Sequence, residues 1–235
     1  MFKKEDIYKY LYFDVETAAL YSNIETLRDE NPRLYELWKK RELYYIGAYP
    51  ALANEDPDVI YKQKAGLEPE FSRVVCVSFG SFTDTGEERF ASFYGEDEYD
   101  ILTKSAKVLN NAASKNWKLC GHNIKGFDVP CLGKRMIYLG INPPANIRIW
   151  DKKPWEIPYV DTSDVFAFGS WTHQKYLSLD LLSCSLGIES PKEIIDGSKV
   201  NDSFWIDKDY EKIKTYCELD VSTVMEVMLK VCFPS

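Results

Sequence analysis

The sequence predicts a mixed α/β fold, and three observations predict it. β-branched and aromatic runs come first and read as a meander, helical patterns then alternate with short strands, and a long amphipathic helix closes the order. Tyr8 to Val15 (YKYLYFDV) has the composition of a strand. Between Glu16 and about Pro69 the pattern changes: Asn31 and Pro32 form a cap and first-turn pair, after which Leu34, Leu37 and Trp38 recur at helical spacing. This stretch is expected to be an insertion, about residues 19–69, carrying a short helix. Arg73 to Phe82 and Glu88 to Tyr94 read as a hairpin across Thr83-Asp84-Thr85-Gly86. Tyr99 to Asn111 is helical through Ile101, Leu102, Ala106 and Leu109, and Trp117 to Gly121 is a short strand. Val129 to Leu139 is a helix with Asp128 at its cap, Pro130 in its first turn and Gly140 past its end. After a Pro-rich loop (Asn142 to Pro158), Tyr159 to Phe168 reads as an edge strand followed by loop, and Ser178 to Leu186 as a helix stopped by Gly187. The last helix is expected from about Asp207 to Val231, with Ile213, Tyr216, Cys217, Val221, Val224, Met228 and Val231 approximating an apolar stripe.

With no internal repeat and no Gly/Ser-rich or Pro-rich linker, residues 1–235 read as a single domain with one insertion. A composition of 45% hydrophobic and 28% charged residues excludes disordered and collagen-like classes. The net charge of -8 argues against a general cationic coat for nucleic acid, while it suits a site made of carboxylates. Apolar runs fall short of the roughly 18 residues of a membrane helix, so no membrane association is expected. Lys3, Lys4, Glu5 and Asp6 occupy the place of a signal peptide's apolar region. Cys76, Cys120, Cys131, Cys184, Cys217 and Cys232 form no CxxC and are expected as buried thiols in a reducing, cytoplasmic setting. Only His122 and His173 could complement them, so a zinc site is not expected.

Three short patterns carry chemistry. Asp14-Val15-Glu16-Thr17 ends the first strand, and residues two apart on a strand face one side, so Asp14 and Glu16 can converge on one cation. Asp209-Tyr210-Glu211 has the same spacing at a helix start, where its acids simply complement the dipole. Asn123-Ile124-Lys125-Gly126-Phe127-Asp128 runs into a helix, and taken alone is what an ordinary N-cap and hydrophobic staple look like. Tyr216 and Asp220 are four apart in the last helix and share a face. Taken alone, Tyr216 reads as a core aromatic and Asp220 as a solvated acid.

In order and in these element types, the three patterns resemble the DEDD family of 3'-5' exonucleases, whose fold is ribonuclease H-like. Tyr216, four before Asp220, marks the tyrosine-bearing branch; the histidine-bearing branch has His five before, where this chain has Thr215. Asp-Val-Glu-Thr and the element order look most like stand-alone relatives of the proofreading domain of B-family DNA polymerases. The resemblance runs from Phe13 to about Leu229 and leaves the insertion and the loop around Pro154 unexplained. It implies a five-stranded sheet, an antiparallel meander followed by parallel strands, flanked by helices. It also implies a site for two divalent cations, Mg2+ or Mn2+: Asp14 bridging, Glu16 and Asp220 completing the first position, and Asp128 holding the second. Tyr216 would position the attacking water, and Thr17, Asn123 and Phe127 would meet the substrate strand. Two hard cations about 3.5–4 Å apart suit phosphodiester hydrolysis, and separated carboxylates suit Mg2+.

The expected activity is therefore metal-dependent 3'-5' hydrolysis of single-stranded or frayed DNA ends, with a polymerase or repair protein as a separate partner. An exoribonuclease with the same acids is one alternative, since nothing in the motifs reads a 2'-hydroxyl. A non-catalytic nucleic-acid-binding or polymerase-partner module is the other. Lys125, Lys134, Arg135, Lys152, Lys153 and Lys175 are the candidate basic track, against the ordinary reading of solvated lysines. Phe127 offers either a stacking face or packing under the sheet; Trp150, Trp155 and Trp171 offer either loop anchors, the ordinary reading, or a nucleotide platform, and His122 reads as a structural histidine.

Overall fold

The computed structural model describes residues 3–169, 177–188 and 199–233; Trp171, His173 and Lys175 lie outside them. The centre of the sheet is β1 (Tyr10–Ala19). It runs antiparallel to β2 (Ser72–Phe82), which pairs antiparallel with β3 (Glu88–Tyr94). On its other side β1 runs parallel to β4 (Lys118–Gly121), and β4 parallel to β5 (Val160–Asp161), giving the order β3-β2-β1-β4-β5. This is the mixed five-stranded sheet expected from the sequence.

The alternation along β1 sorts two cores. Leu11, Phe13 and Val15 pack with Ile101, Leu102 and Leu109 of α4 (Glu98–Ser114) and with Val129, Leu132 and Met136 of α5 (Asp128–Tyr138). Tyr10 and Tyr12 point the other way and pack with Val221, Val224, Met225 and Met228 of α9 (Tyr210–Cys232). Gly80 lets α9 come close, because a Cβ there would lie 2.6 Å from Val221 Cγ1 and 2.8 Å from Met225 Sδ. α9 starts at Tyr210, later than expected, because Asp209 caps it by accepting the Lys212 N–H. Before it, α8 (Val200–Asp202) passes into a π-helical turn, Ser203–Asp207, broken by Lys208 at φ +56°.

The insertion holds more than the one short helix expected. α1 (Ile24–Glu30), α2 (Pro32–Ala48) and α3 (Pro57–Lys64) surround Trp38, whose ring meets Tyr61 and Phe71 edge-on, each at 5.1 Å. Leu27, Tyr45, Ile60 and Ala65 complete this satellite core. Asn23 and the Asp56-Pro57 pair start α1 and α3 just as Asn31-Pro32 starts α2, so the cap signals are there although the apolar periodicity is weak.

The other departure is in 159–168. The strand is two residues long, and α6 (Thr162–Ala167) follows at once in place of the expected loop, because Asp161 accepts the Ser163 N–H and caps it. α7 (Leu179–Ser185) follows, capped by Ser178. Among the described residues no helix is long and apolar enough to cross a membrane.

Candidate active site

β1 and α9 bring the first and third patterns together. Asp14 and Glu16 occupy even positions of β1, the face that α9 covers, and both are half-buried. From α9, Tyr216 and Cys217 are buried against Ala18, Cys76 and Ile213, while Asp220 lies one turn on from Tyr216. The Tyr216 hydroxyl donates to Asp220, and Asp14 and Glu16 are close enough to perturb it.

The second pattern arrives from the far side of β1. After β4 the chain turns sharply at Gly121, where a Cβ would lie 2.2 Å from Ile124 Cγ2 and 2.8 Å from the Phe13 carbonyl oxygen. Asn123 then takes a left-handed conformation, φ +57°. Asp161, itself buried, ties this loop by accepting the N–H groups of Asn123 (2.8 Å) and Lys125 (3.0 Å). Asp128 follows as the first residue of α5. It does not cap the helix: Phe127 occupies the cap position and no side chain bonds there. Asp128 is instead 4% exposed and close enough to Asp14 for each carboxylate to feel the other.

The electrostatics are those of acids crowded without a cation. Burial pushes Asp14 up to about 6, partly offset by hydrogen bonds from the Cys217 thiol and the Val15 N–H. Glu16 lies well above the usual carboxylate range, first through burial and then through Asp14, Asp220, Cys76 and Asp128. Asp128 is raised by burial and by Asp14. Tyr216 is raised by burial, then by Asp220, Glu16 and Asp14, so its phenol stays protonated at neutral pH. Oxygen donors that destabilise one another in this way fit hard divalent cations, which relieve the repulsion.

Beside these acids a cleft of about 340 Å³ opens between the end of β1 and the insertion. It is lined by Glu16, Thr17, Phe127, Lys62, Leu67 and Asn201 among others. Phe127 thus faces the cleft and is not packed under the sheet. The Thr17 hydroxyl donates to the Gly66 carbonyl (2.7 Å), which leaves its oxygen lone pairs for anything in the cleft. The end of β1 is held on both sides: Ala19 donates its N–H to Asn201 Oδ1 (3.0 Å), its carbonyl accepts from Trp205 Nε1 (2.9 Å), and Leu20 donates to the Phe71 carbonyl (2.8 Å).

Other expectations meet corrections. No basic track runs through Lys125, Lys134 and Arg135: Lys125 pairs with Asp164 (2.6 Å), Lys134 with Glu70 (2.9 Å), and Arg135 is buried on Glu98. Lys152 and Lys153 are exposed, and Lys153 lies over the Trp155 ring. Trp150 and Trp155 are 71% and 74% exposed, so neither anchors its loop. His122 is held between Thr162 Oγ1 (2.8 Å) and the Leu177 carbonyl (2.6 Å), and burial lowers its pKa, a structural histidine as expected. The sequence reading missed Asp161, which reads as a strand residue until the loop is folded onto it. It also missed Cys217, whose only signal is its position three before Asp220 on the same helix face.

A family model described as a predicted 3'-5' exonuclease related to the exonuclease domain of PolB matches residues 66–234. The chain belongs to this PolB-related exonuclease family. Its fold is similar to part of the family B DNA polymerase from the hyperthermophilic archaeon Pyrobaculum calidifontis, with a TM-score of 0.51 at 17% sequence identity. That similarity covers 94% of this chain and 24% of the polymerase chain. Among curated proteins none matches the chain in sequence. The family match begins at Gly66, so β1 with Asp14 and Glu16, and the helices α1 to α3, lie outside it. The polymerase similarity spans nearly the whole chain and supports the ribonuclease H-like architecture around β1.

Proposed function

We propose that this chain is a metal-dependent 3'-5' exonuclease that hydrolyses the terminal phosphodiester of single-stranded or frayed DNA. What supports the reading is the convergence beside β1 of acids from three separated segments: Asp14 and Glu16 of the strand, Asp128 at the start of α5, and Asp220 of α9, to which the Tyr216 hydroxyl donates. Asp14 with Glu16 and Asp220 would hold one divalent cation, and Asp14 with Asp128 a second, with Mg2+ or Mn2+ matching the carboxylate donors. Such cations supply the positive charge that stabilises the attacking and leaving oxygens of an in-line displacement. The chain's own part is positioning. Tyr216 stays neutral, so its hydroxyl orients a water by hydrogen bonding and does not act as a phenolate base. Thr17 and Phe127 line the cleft along the path proposed for the 3' end, whereas Asn123, bonded through its N–H to Asp161, is not among the cleft's lining residues; the Phe127 ring suits a base, a stacking contact worth about 1–3 kcal/mol. A polymerase or repair factor on a separate chain is the partner such an activity would serve.

The test uses 5'-labelled single-stranded DNA and RNA oligonucleotides with Mg2+ or Mn2+. A descending ladder on DNA is expected, reduced at least about a thousandfold by Asp14→Ala. Degradation of RNA alone would replace DNA by RNA as substrate, and binding without cleavage would leave only a nucleic-acid-binding role. Tyr216→Phe should lower kcat by about 10–100-fold with little change in KM. Equal kcat would remove its role in orienting water.

A further inference from the structure

The acid site has a sulfur in it. The Cys217 thiol donates to Asp14 Oδ2 at 3.3 Å, and single ligand atoms of Asp14, Glu16 and Cys217 all lie within 4.8 Å of one another. Cys217 is fixed there because it is buried on α9 against the sheet. A second thiol backs it. Cys76 stands directly across the ladder from Glu16, and the β1–β2 register shifts between Glu16 and Thr17, so that both Val75 and Cys76 join the cluster on the α9 face. The Cys217 thiol rests against Cys76 and feels it.

For Mg2+ the sulfur is a poor ligand, but for a thiophilic cation it is the best one present. A tetrahedral zinc with Zn–S of about 2.3 Å and Zn–O of about 2.0 Å needs its sulfur and oxygen ligands about 3.5 Å apart. The observed 3.3 Å between Cys217 Sγ and Asp14 Oδ2 is already close to that. We propose that Asp14, Glu16 and Cys217 form a site for a thiophilic divalent cation, Zn2+ or Cd2+, which occupies it in competition with hard cations. On binding, the Cys217 thiol releases its proton to solvent and the thiolate becomes the ligand; no oxidant or reductant takes part. The consequence for a Mg2+- or Mn2+-dependent activity is inhibition by thiophilic metals through a sulfur that ordinary carboxylate sites lack. The inference does not require that the chain cut nucleic acid.

The test titrates metal-free protein carrying Cys184→Ser, which removes the exposed thiol, with Cd2+. Sulfur-to-cadmium charge-transfer absorption in the ultraviolet is read together with free Mn2+ by electron paramagnetic resonance in a competition arm. One Cd2+ per chain is expected to raise the band and to release bound Mn2+ in parallel. Adding Cys217→Ser should abolish the band and weaken Cd2+ binding at least about tenfold, with Mn2+ binding changed less than about threefold. A band that survives Cys217→Ser, or no band at all, overturns the proposal. If Cys217→Ser proves unfolded by circular dichroism, the competition arm decides: a band that grows without Mn2+ release places the sulfur elsewhere and overturns it. A protein that binds no Mn2+ yet shows a Cys217-dependent band keeps this proposal and removes the hard-cation reading.

Discussion

Glu98 is a buried carboxylate and Glu16 a half-buried one, and their surroundings are opposite. Glu98, at the start of α4, receives two hydrogen bonds from Arg135, Nε at 2.8 Å and Nη2 at 2.7 Å, and a third from the Val74 N–H at 2.8 Å. Arg135 Nη1 donates to the Pro69 carbonyl (3.1 Å), and both side chains are under a tenth exposed. Glu16 meets Asp14, Asp128, Asp220 and a thiol, and every one of them raises its pKa. The first arrangement is closed: its charges are matched, and it ties α4, α5 and β2 together. The second is open: internal hydrogen bonds offset its electrostatic strain only in part, and proton uptake or a bound cation would relieve the rest. A buried charge that is completed within the fold reads as structural, and one left incomplete reads as a site.

That contrast breaks first at the closed pair. Glu98→Ala leaves Arg135 and the Val74 N–H without partners, and is expected to destabilise the protein by about 3–5 kcal/mol in urea unfolding. Removing a charge from the open site should have the opposite sign. Glu16→Gln relieves repulsion and is expected to stabilise the metal-free protein by on the order of 1–2 kcal/mol while abolishing nuclease activity. A destabilisation as large as that of Glu98→Ala would mean that Glu16 is a structural acid.

The pH dependence sharpens the same point. Asp14 titrates near 6 in the fold and near its ordinary value of 3.8 in the unfolded chain, so between those values the folded state binds more protons. Its contribution to the stability of metal-free protein is fully present below about pH 4 and lost as pH rises through about 6. Thermal melts of wild type minus Asp14→Asn should show a decline across that window, and Mg2+ should offset it at pH 7. A difference that rises with pH would contradict the crowded-acid description. The smallest effect is at the rim: Thr17→Val removes the hydroxyl that reaches Gly66 and should cost about 1 kcal/mol, with a rise in KM for a nucleic-acid substrate larger than any fall in kcat.

Much of this was legible in the sequence because it is local. Period-two alternation placed Asp14 and Glu16 on one face of β1, and the i, i+4 spacing placed Tyr216 beside Asp220, without knowledge of the sheet order. Asp128 was ambiguous for a physical reason: Asp before a first-turn proline is what a cap looks like, and only the fold shows that the cap position falls on Phe127. The insertion was under-read because its core depends on Trp38 meeting Tyr61 and Phe71, contacts 23 and 33 residues apart that no periodicity reports. Lys134 and Arg135 read as surface cations because their partners, Glu70 and Glu98, are distant in sequence. Cys217 was classed with the inert thiols, since a metal reading of cysteines looks for other cysteines or histidines at fixed spacing and not for strand carboxylates.

The bonds that hold the end of β1 have a consequence for how the site moves. Thr17 is tied to Gly66, Ala19 to Asn201 and Trp205, and Leu20 to Phe71, so one strand end is fastened both to the insertion and to the segment before α9. It cannot fray by itself. Opening it means detaching two otherwise separate layers at once, so its amides should exchange with solvent deuterium about as slowly as those of the central sheet, although they border the cleft beside the acids.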